Sequence, residues 1–119
     1  MKVRGIRWLG SPTARFAEMR DFVRDVLRLE LQSEDDDFAV FHADNGDTFE
    51  VFGPKAIANE HAFMVAPVPG FWVDDVPQAR REMESKGVRF IGPVHRGTTS
   101  SWSHFYAPDG HIYELTDGE

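Results

Sequence analysis

Few side chains in this sequence can do chemistry. There is no cysteine among the 119 residues, which removes disulfides, zinc–thiolate sites and cysteine nucleophiles. What remains is five histidines (His42, His61, His95, His104, His111), a surplus of carboxylates, and three tryptophans, Trp8, Trp72 and Trp102. A histidine beside a glutamate can move protons. Histidine and carboxylate together can hold a divalent ion. Tryptophan rings can stack on a planar ligand or face a cation. The dense acidic run Glu34-Asp35-Asp36-Asp37 lacks the alternating ligand spacing of a calcium loop and reads as a solvated hairpin tip. His61 falls in a linker and His111 in a turn, where both are expected to be exposed, and His95 lies near a loop.

The elements that must position these residues repeat. An amphipathic helix of about three turns is expected from Phe16, Met19, Phe22, Val23, Val26 and Leu27 on one face against Asp21, Arg24 and Asp25 on the other. Ser11-Pro12-Thr13 supplies a turn and an N-cap before it. A second helix is expected over Val76–Lys86, with Pro77 in its first turn and Gly87 as its C-terminal cap. Strand-like runs occupy Val3–Leu9, Leu29–Gln32, Phe38–Ala43, Thr48–Phe52, Val68–Val73, Arg89–Ile91, Trp102–Ala107 and Ile112–Thr116. Pro54–Ala66 reads as a linker. Moving Phe41–Val51 forward by 64 positions lays it on Phe105–Leu115 with Phe, Ala, Gly and Glu coinciding, so Glu50 meets Glu114. Asn45-Gly46 and Asp109-Gly110 are both hairpin-turn signals. The order strand, helix, three strands therefore occurs twice, an internal duplication.

Length and composition bound the rest. The chain suffices for one domain, with 41% hydrophobic and 28% charged residues. No apolar run is long enough to span a bilayer, and the N-terminus lacks a signal-peptide pattern, so a cytoplasmic location without membrane contact is expected. The net charge of −7 argues against a nucleic-acid partner and is tolerant of cationic ligands.

The ending Phe105-Tyr106-Ala107-Pro108-Asp109-Gly110-His111-Ile112-Tyr113-Glu114-Leu115 resembles the closing hairpin of the vicinal-oxygen-chelate superfamily, which includes glyoxalase I, bleomycin-resistance proteins and extradiol dioxygenases. Phe71-Trp72-Val73-Asp74-Asp75-Val76 resembles the start of that family's second unit, and Phe22-Val23-Arg24-Asp25-Val26-Leu27 the end of its first helix. The resemblance implies one α+β domain over residues 1–119, made of two βαβββ units (about 1–53 and 67–119, joined by a linker over about 54–66) that form a cupped mixed sheet with helices outside. It also implies four metal-ligand positions, a first-strand and a last-strand residue from each unit. Glu50 and Glu114 match the last-strand positions. The first-strand positions fall on Trp8 and Val68, which cannot bind a metal, so none of the family-type metal site is expected to be complete and no cofactor is expected.

With Glu114 facing the cavity, strand alternation and the hairpin turns place His104 opposite Glu114, Tyr106 opposite Ile112, Val40 opposite Glu50 and His42 opposite Thr48. The resulting ligand-binding wall is Trp8, Phe38, Val40, His42, Glu50, Val68, Trp72, Trp102, His104, Tyr106 and Glu114. Such a wall, aromatic with few polar anchors, suits a small molecule. Each member also has an ordinary structural reading. The tryptophans can be core, the glutamates can pair with Arg4, Arg7 or Arg96 or be solvated, and a lone histidine can be a satisfied core or surface residue. Two functions are therefore carried forward. The first is a bleomycin-resistance-type protein that sequesters an aromatic or cationic ligand without catalysis, an antibiotic-resistance role, expected as a homodimer. The second is a glyoxalase-like enzyme (lyase, isomerase or epimerase, or dioxygenase). It would work metal-free with His104 and Glu114 as the acid–base pair, or with a divalent metal held in a non-standard way by Glu50, Glu114 and His104.

Overall fold

The computed structural model describes residues 1–56 and 63–118. The chain divides into two compact units, Trp8–Val68 and Met1–Arg7 with Pro69–Glu119. The first seven residues thus belong with the C-terminal half, and the described part of the expected linker belongs with the N-terminal half.

In the first unit, strand β1 (Gly5–Pro12, entering this unit at Trp8) leads to helix α1 (Phe16–Asp21), a π-helical turn (Phe22–Val26), and strands β2 (Glu30–Asp35), β3 (Phe38–His42) and β4 (Thr48–Phe52). The strand order is β2-β3-β4-β1, with β1 parallel to β4. Ser11 and Pro12, expected as a turn, extend β1 and pair with Val51 and Phe52. Pro12 ends the strand, where its missing N–H costs no ladder bond. Arg15 takes the N-cap, its N–H held by the Thr13 hydroxyl at 2.9 Å.

The helix keeps only part of its expected stripe. Val23 is fully buried with Ala39, Phe41 and Val51, and Phe16 and Met19 pack against them. Phe22, Val26 and Leu27 are exposed instead. The cause lies in the turn itself, where Leu27 N–H donates to Phe22 O, five residues back. That wider turn changes the angular spacing a 3.6-residue period assumes. The acidic tip is also more than solvated charge. Asp37 adopts φ 64°, and its carboxylate accepts the Lys55 N–H at 2.7 Å.

In the second unit, β5 (Val68–Trp72) leads to α2 (Val76–Ser85), β6 (Phe90–Arg96), β7 (Ser101–Tyr106) and β8 (Ile112–Thr116). The order β6-β7-β8-β5, with β5 parallel to β8, matches the first unit element for element. α2 starts at Asp75, whose carboxylate accepts the Gln78 N–H, with Pro77 in the first turn. Val76 and Ala79 of α2 bury against Val73, Phe105 and Leu115. β6 is longer than expected because a bulge between Ile91 and His95 absorbs Gly92-Pro93 without ending the pairing.

The closing hairpins are equivalent in detail. Val40 pairs with Glu50 and His42 with Thr48, as His104 pairs with Glu114 and Tyr106 with Ile112. Ala43 N–H donates to Asp47 O and Ala107 N–H to His111 O, both at 2.9 Å. Gly46 and Gly110 sit at φ 90° and 85°, where a side chain is disfavoured. The expected duplication is therefore present at the level of individual hydrogen bonds.

The helix stripe yields a direct expectation. Val23→Ala should cost about 2 kcal/mol as a cavity-forming change, and Val26→Ala under about 0.5 kcal/mol. Denaturant unfolding of the two variants checks this. Equal losses would place Val26 in the core.

Candidate functional site

In each unit one helix covers one sheet face, and alternation assigns the other face its residues. In the first unit this second face carries rows set by register. Trp8, Thr48 and His42 form one row, Gly10, Glu50 and Val40 the next, and Pro12, Phe52 and Phe38 the third. Phe38 stacks on Phe52 at 5.8 Å with a 5° interplanar angle, and Trp8 lies 6.4 Å from Phe52. Phe52, Met64 and Val68 are buried as one cluster, with Trp8, Phe38, Ala56 and Phe63 packed against it. The sequence places Trp8, Phe38 and Val68 on the expected ligand wall. In the structure they pack against the chain's own side chains, and Val68 is 3% exposed.

Gly10 is the residue that sequence reasoning missed here. By register it stands beside Glu50. A Cβ on it would lie 2.2 Å from Cη2 of Trp8, so the Trp8 ring lies over this glycine. The signal was a glycine two positions after a tryptophan, which matters only once β1 is known to continue through both.

The second unit keeps more polar chemistry. Gly70, Glu114 and His104 form one row, Trp72, Thr116, Trp102 and His95 another, and Ile112 with Tyr106 a third. His104 is completely buried and Glu114 is 4% exposed. His104 Nε2 stands 3.5 Å from Glu114 Oε2. The two predicted acid–base residues are thus brought together on neighbouring strands. A histidine can donate or accept a proton, and an adjacent carboxylate stabilises its protonated form. Around them, His95 stacks on Trp102 at 5.8 Å, and the Arg89 guanidinium lies 4.2 Å from the Tyr106 ring centroid.

Trp72 is held on two sides. Its Nε1–H donates to Gly118 O at 3.0 Å. The Arg7 guanidinium carbon lies 3.7 Å from its ring centroid and that of Arg4 5.1 Å away, with Arg4 also 3.2 Å from Asp74. The neighbouring Asp117 ties the wall's frame together. Its carboxylate accepts the N–H of Val76, at the start of α2, at 3.0 Å and that of Ser101, at the start of β7, at 2.6 Å. Neither Arg7 nor Asp117 was assigned these roles from sequence, since both depend on residues distant in the chain. Of the remaining histidines, His111 is exposed beside Asp109 at 3.3 Å, and His61 lies outside the described residues.

The donor set does not fit the family's metal. Trp8 and Val68 offer no metal-binding atom, and Gly10 and Gly70, which flank the glutamates by register, offer none either. Among the described residues no group of three or more His, Asp and Glu side chains is placed to hold an ion. Among the same residues, no helix is long and apolar enough to cross a membrane.

No curated protein sequence matches the chain. Solved structures do. Methylmalonyl-CoA epimerase from Mycobacterium tuberculosis superposes with a TM-score of 0.71 at 19% identity, over 98% of this chain and 89% of that one. The Mn(II)-bound glyoxalase from Novosphingobium aromaticivorans gives 0.74 at 22% identity, over 98% of this chain and 39% of that one. A glyoxalase/bleomycin resistance protein/dioxygenase superfamily member from Vibrio splendidus gives 0.65 at 18% identity, over 98% and 99%. At these identities the likeness is one of fold. The family described as the Glyoxalase/Bleomycin resistance protein/Dioxygenase superfamily matches residues 5–115, almost the whole chain. By that match, and by the duplicated βαβββ hairpins that underlie it, the chain belongs to the glyoxalase/bleomycin resistance protein/dioxygenase superfamily.

Proposed function

We propose that this chain is a small-molecule binding protein of the bleomycin-resistance kind, which holds a planar aromatic ligand without a family-type metal site. The observation that carries this reading is the fate of the first-strand positions. Trp8 and Val68 stand where the superfamily's metalloenzymes place ligands, and both are packed in an apolar cluster with Phe52 and Met64. A divalent ion requires N or O donors, which neither residue can supply. Trp102 and His95 in the second unit offer flat faces beside the buried His104–Glu114 pair, a combination typical of small-ligand sites. The reading includes a homodimer, supported by the exposed apolar Phe22, Val26 and Leu27.

A second reading rests on one specific observation. His104 and Glu114 form a buried pair 3.5 Å apart, which suits metal-free acid–base chemistry of the isomerase or epimerase type. The superfamily contains enzymes, and a methylmalonyl-CoA epimerase is among the structural neighbours, so the fold accommodates this chemistry.

The deciding experiment combines metal analysis with a ligand screen read by tryptophan fluorescence. Purified protein should carry far less than one transition metal per chain, and added Mn²⁺, Ni²⁺ or Zn²⁺ should leave ligand affinity unchanged. About one tightly held metal per chain, lost in Glu114→Gln, would replace the binder by a metalloenzyme. Ligands from the screen should then be incubated in deuterated solvent. Hydrogen exchange that is present in the wild type and abolished in His104→Gln would establish the acid–base enzyme instead. Light scattering at micromolar concentration should show a dimer, and a lone monomer would remove that part of the reading.

The aromatic packing of the first unit has its own test. Gly10→Ala should force the Trp8 ring off its seat, with a cost of about 1–3 kcal/mol. The Trp8 indole resonance should move while that of Trp102 stays in place. An unmoved Trp8 signal in a folded Gly10→Ala protein would show that the ring does not lie over Gly10.

A further inference from the structure

On the aromatic surface of the second unit, Trp72 is already capped by two arginines. Trp72 is fixed in its plane by the bond from Nε1–H to Gly118 O at 3.0 Å. Gly118 can reach this place only as glycine. It adopts φ 105°, and a Cβ on it would lie 2.8 Å from both Ser100 Cβ and Thr99 O. Asp117, one residue earlier, is itself clamped through the Val76 and Ser101 N–H groups. The indole is therefore held from its edge by a tightly built segment, with its π-face left as the interacting surface.

That π-face holds the protein's own cations. Arg7 lies 3.7 Å from the ring centroid, a stacking distance, and Arg4 lies at 5.1 Å. Both are within the range over which the ring quadrupole attracts a positive charge. Guanidinium is planar and less strongly hydrated than ammonium, so it stacks on an indole at little desolvation cost. Arg4 is also paired with Asp74, at 3.2 Å on the exposed side. A cationic ligand approaching Trp72 would have to displace a covalently tethered cation and would meet a second one nearby. Proximity favours the tethered group, whose effective concentration is high.

We infer that Arg7, backed by Arg4, is a specificity-determining residue that acts as the internal ligand of Trp72 and excludes cationic ligands from this half of the site. The inference deepens the proposed binding function by removing amines, guanidines and quaternary ammonium compounds from the ligand class, despite the chain's net charge of −7. It leaves planar neutral ligands, for which the aromatic surface of Trp102 and His95 remains. It also makes Trp72 a latent cation site that a single substitution should open.

The test uses tetramethylammonium and the uncharged tert-butanol, which is similar in size, titrated into ¹⁵N-labelled full-length protein. The three indole N–H resonances are the readout, with that of Trp72 assigned from its loss in Trp72→Phe. In the unmodified protein tetramethylammonium should shift the Trp72 resonance no more than tert-butanol does. In Arg7→Ala it should bind at Trp72 about tenfold more tightly than in the wild type, with no such gain for tert-butanol. If Arg4 swings in to replace Arg7, the gain appears in the Arg4→Ala, Arg7→Ala double variant. Saturable tetramethylammonium binding at Trp72 in the unmodified protein overturns the inference, as does the absence of any gain in a folded double variant. The wild-type comparison stands even if a variant fails to fold. Failure of the broader reading is separable, because it would show as a ligand screen without hits while the Arg7→Ala gain is still observed.

Discussion

Among the described residues, one helical segment covers the four strands of each unit. The parallel pairs β1–β4 and β5–β8 cannot be joined by a tight turn, so the chain must cross over through a helix between them. That helix seals one face with an apolar layer, Val23 against Ala39, Phe41 and Val51 in one unit, and Val76 and Ala79 against Phe105 and Leu115 in the other. Because side chains alternate along a strand, sealing one face commits every second residue to the other. Glu114 therefore lies opposite the helix side because Tyr113 and Leu115 are core. A slip of one residue would drive the carboxylate into the apolar layer and expose the leucine, which makes the register strongly determined. The position of every candidate site residue follows from this parity.

The parts of the structure that could be read in advance are those governed by local chemistry. Asn45-Gly46 and Asp109-Gly110 specify their turns through residues that tolerate positive φ, and the turn then sets the pairing of Val40 with Glu50 and of His104 with Glu114. The parts that could not be read depend on partners far along the chain. Nothing local announces that Phe22–Val26 forms a π-turn and turns Phe22 and Val26 outward, since their spacing fits a regular amphipathic helix equally well. Ser11-Pro12 looks like a turn until Val51 and Phe52 are available as strand partners. The seat of Arg7 on Trp72, 65 residues away, is a tertiary contact that no local pattern announces. Within each unit the turns imply the pairing of Val40 with Glu50 and of His104 with Glu114, whereas the Arg7 cap on Trp72 is visible only in the structure.

The two halves have diverged in the use of one architecture. In the first, the face away from the helix is filled by Trp8, Phe38, Phe52 and Met64, and it contributes apolar surface. In the second, the corresponding face carries His95, Trp102, His104, Glu114 and the arginine-capped Trp72. Stacked aromatic pairs such as Phe38 with Phe52 add about 0.5–1.5 kcal/mol beyond their area. They brace the first half, whose same face also carries Thr48, His42 and Glu50.

His104 has a structural twin in the first unit. By the 64-residue repeat, His104 opposite Glu114 corresponds to Val40 opposite Glu50, in the same register of the same hairpin. Valine at that position is compatible with the fold, as the first unit demonstrates. An apolar residue would also avoid the desolvation of a buried polar pair, a penalty of several kcal/mol per ion when both groups are charged. The fold therefore neither requires a histidine there nor gains from one through packing alone. His104 is completely buried and 3.5 Å from a carboxylate that is 4% exposed. The first unit thus shows that a plain hydrocarbon suffices for the fold at a position where the second unit buries a histidine beside a carboxylate. The same comparison separates the two glutamates. Val40 and Gly10 flank Glu50 on the neighbouring strands, whereas His104 and Gly70 flank Glu114.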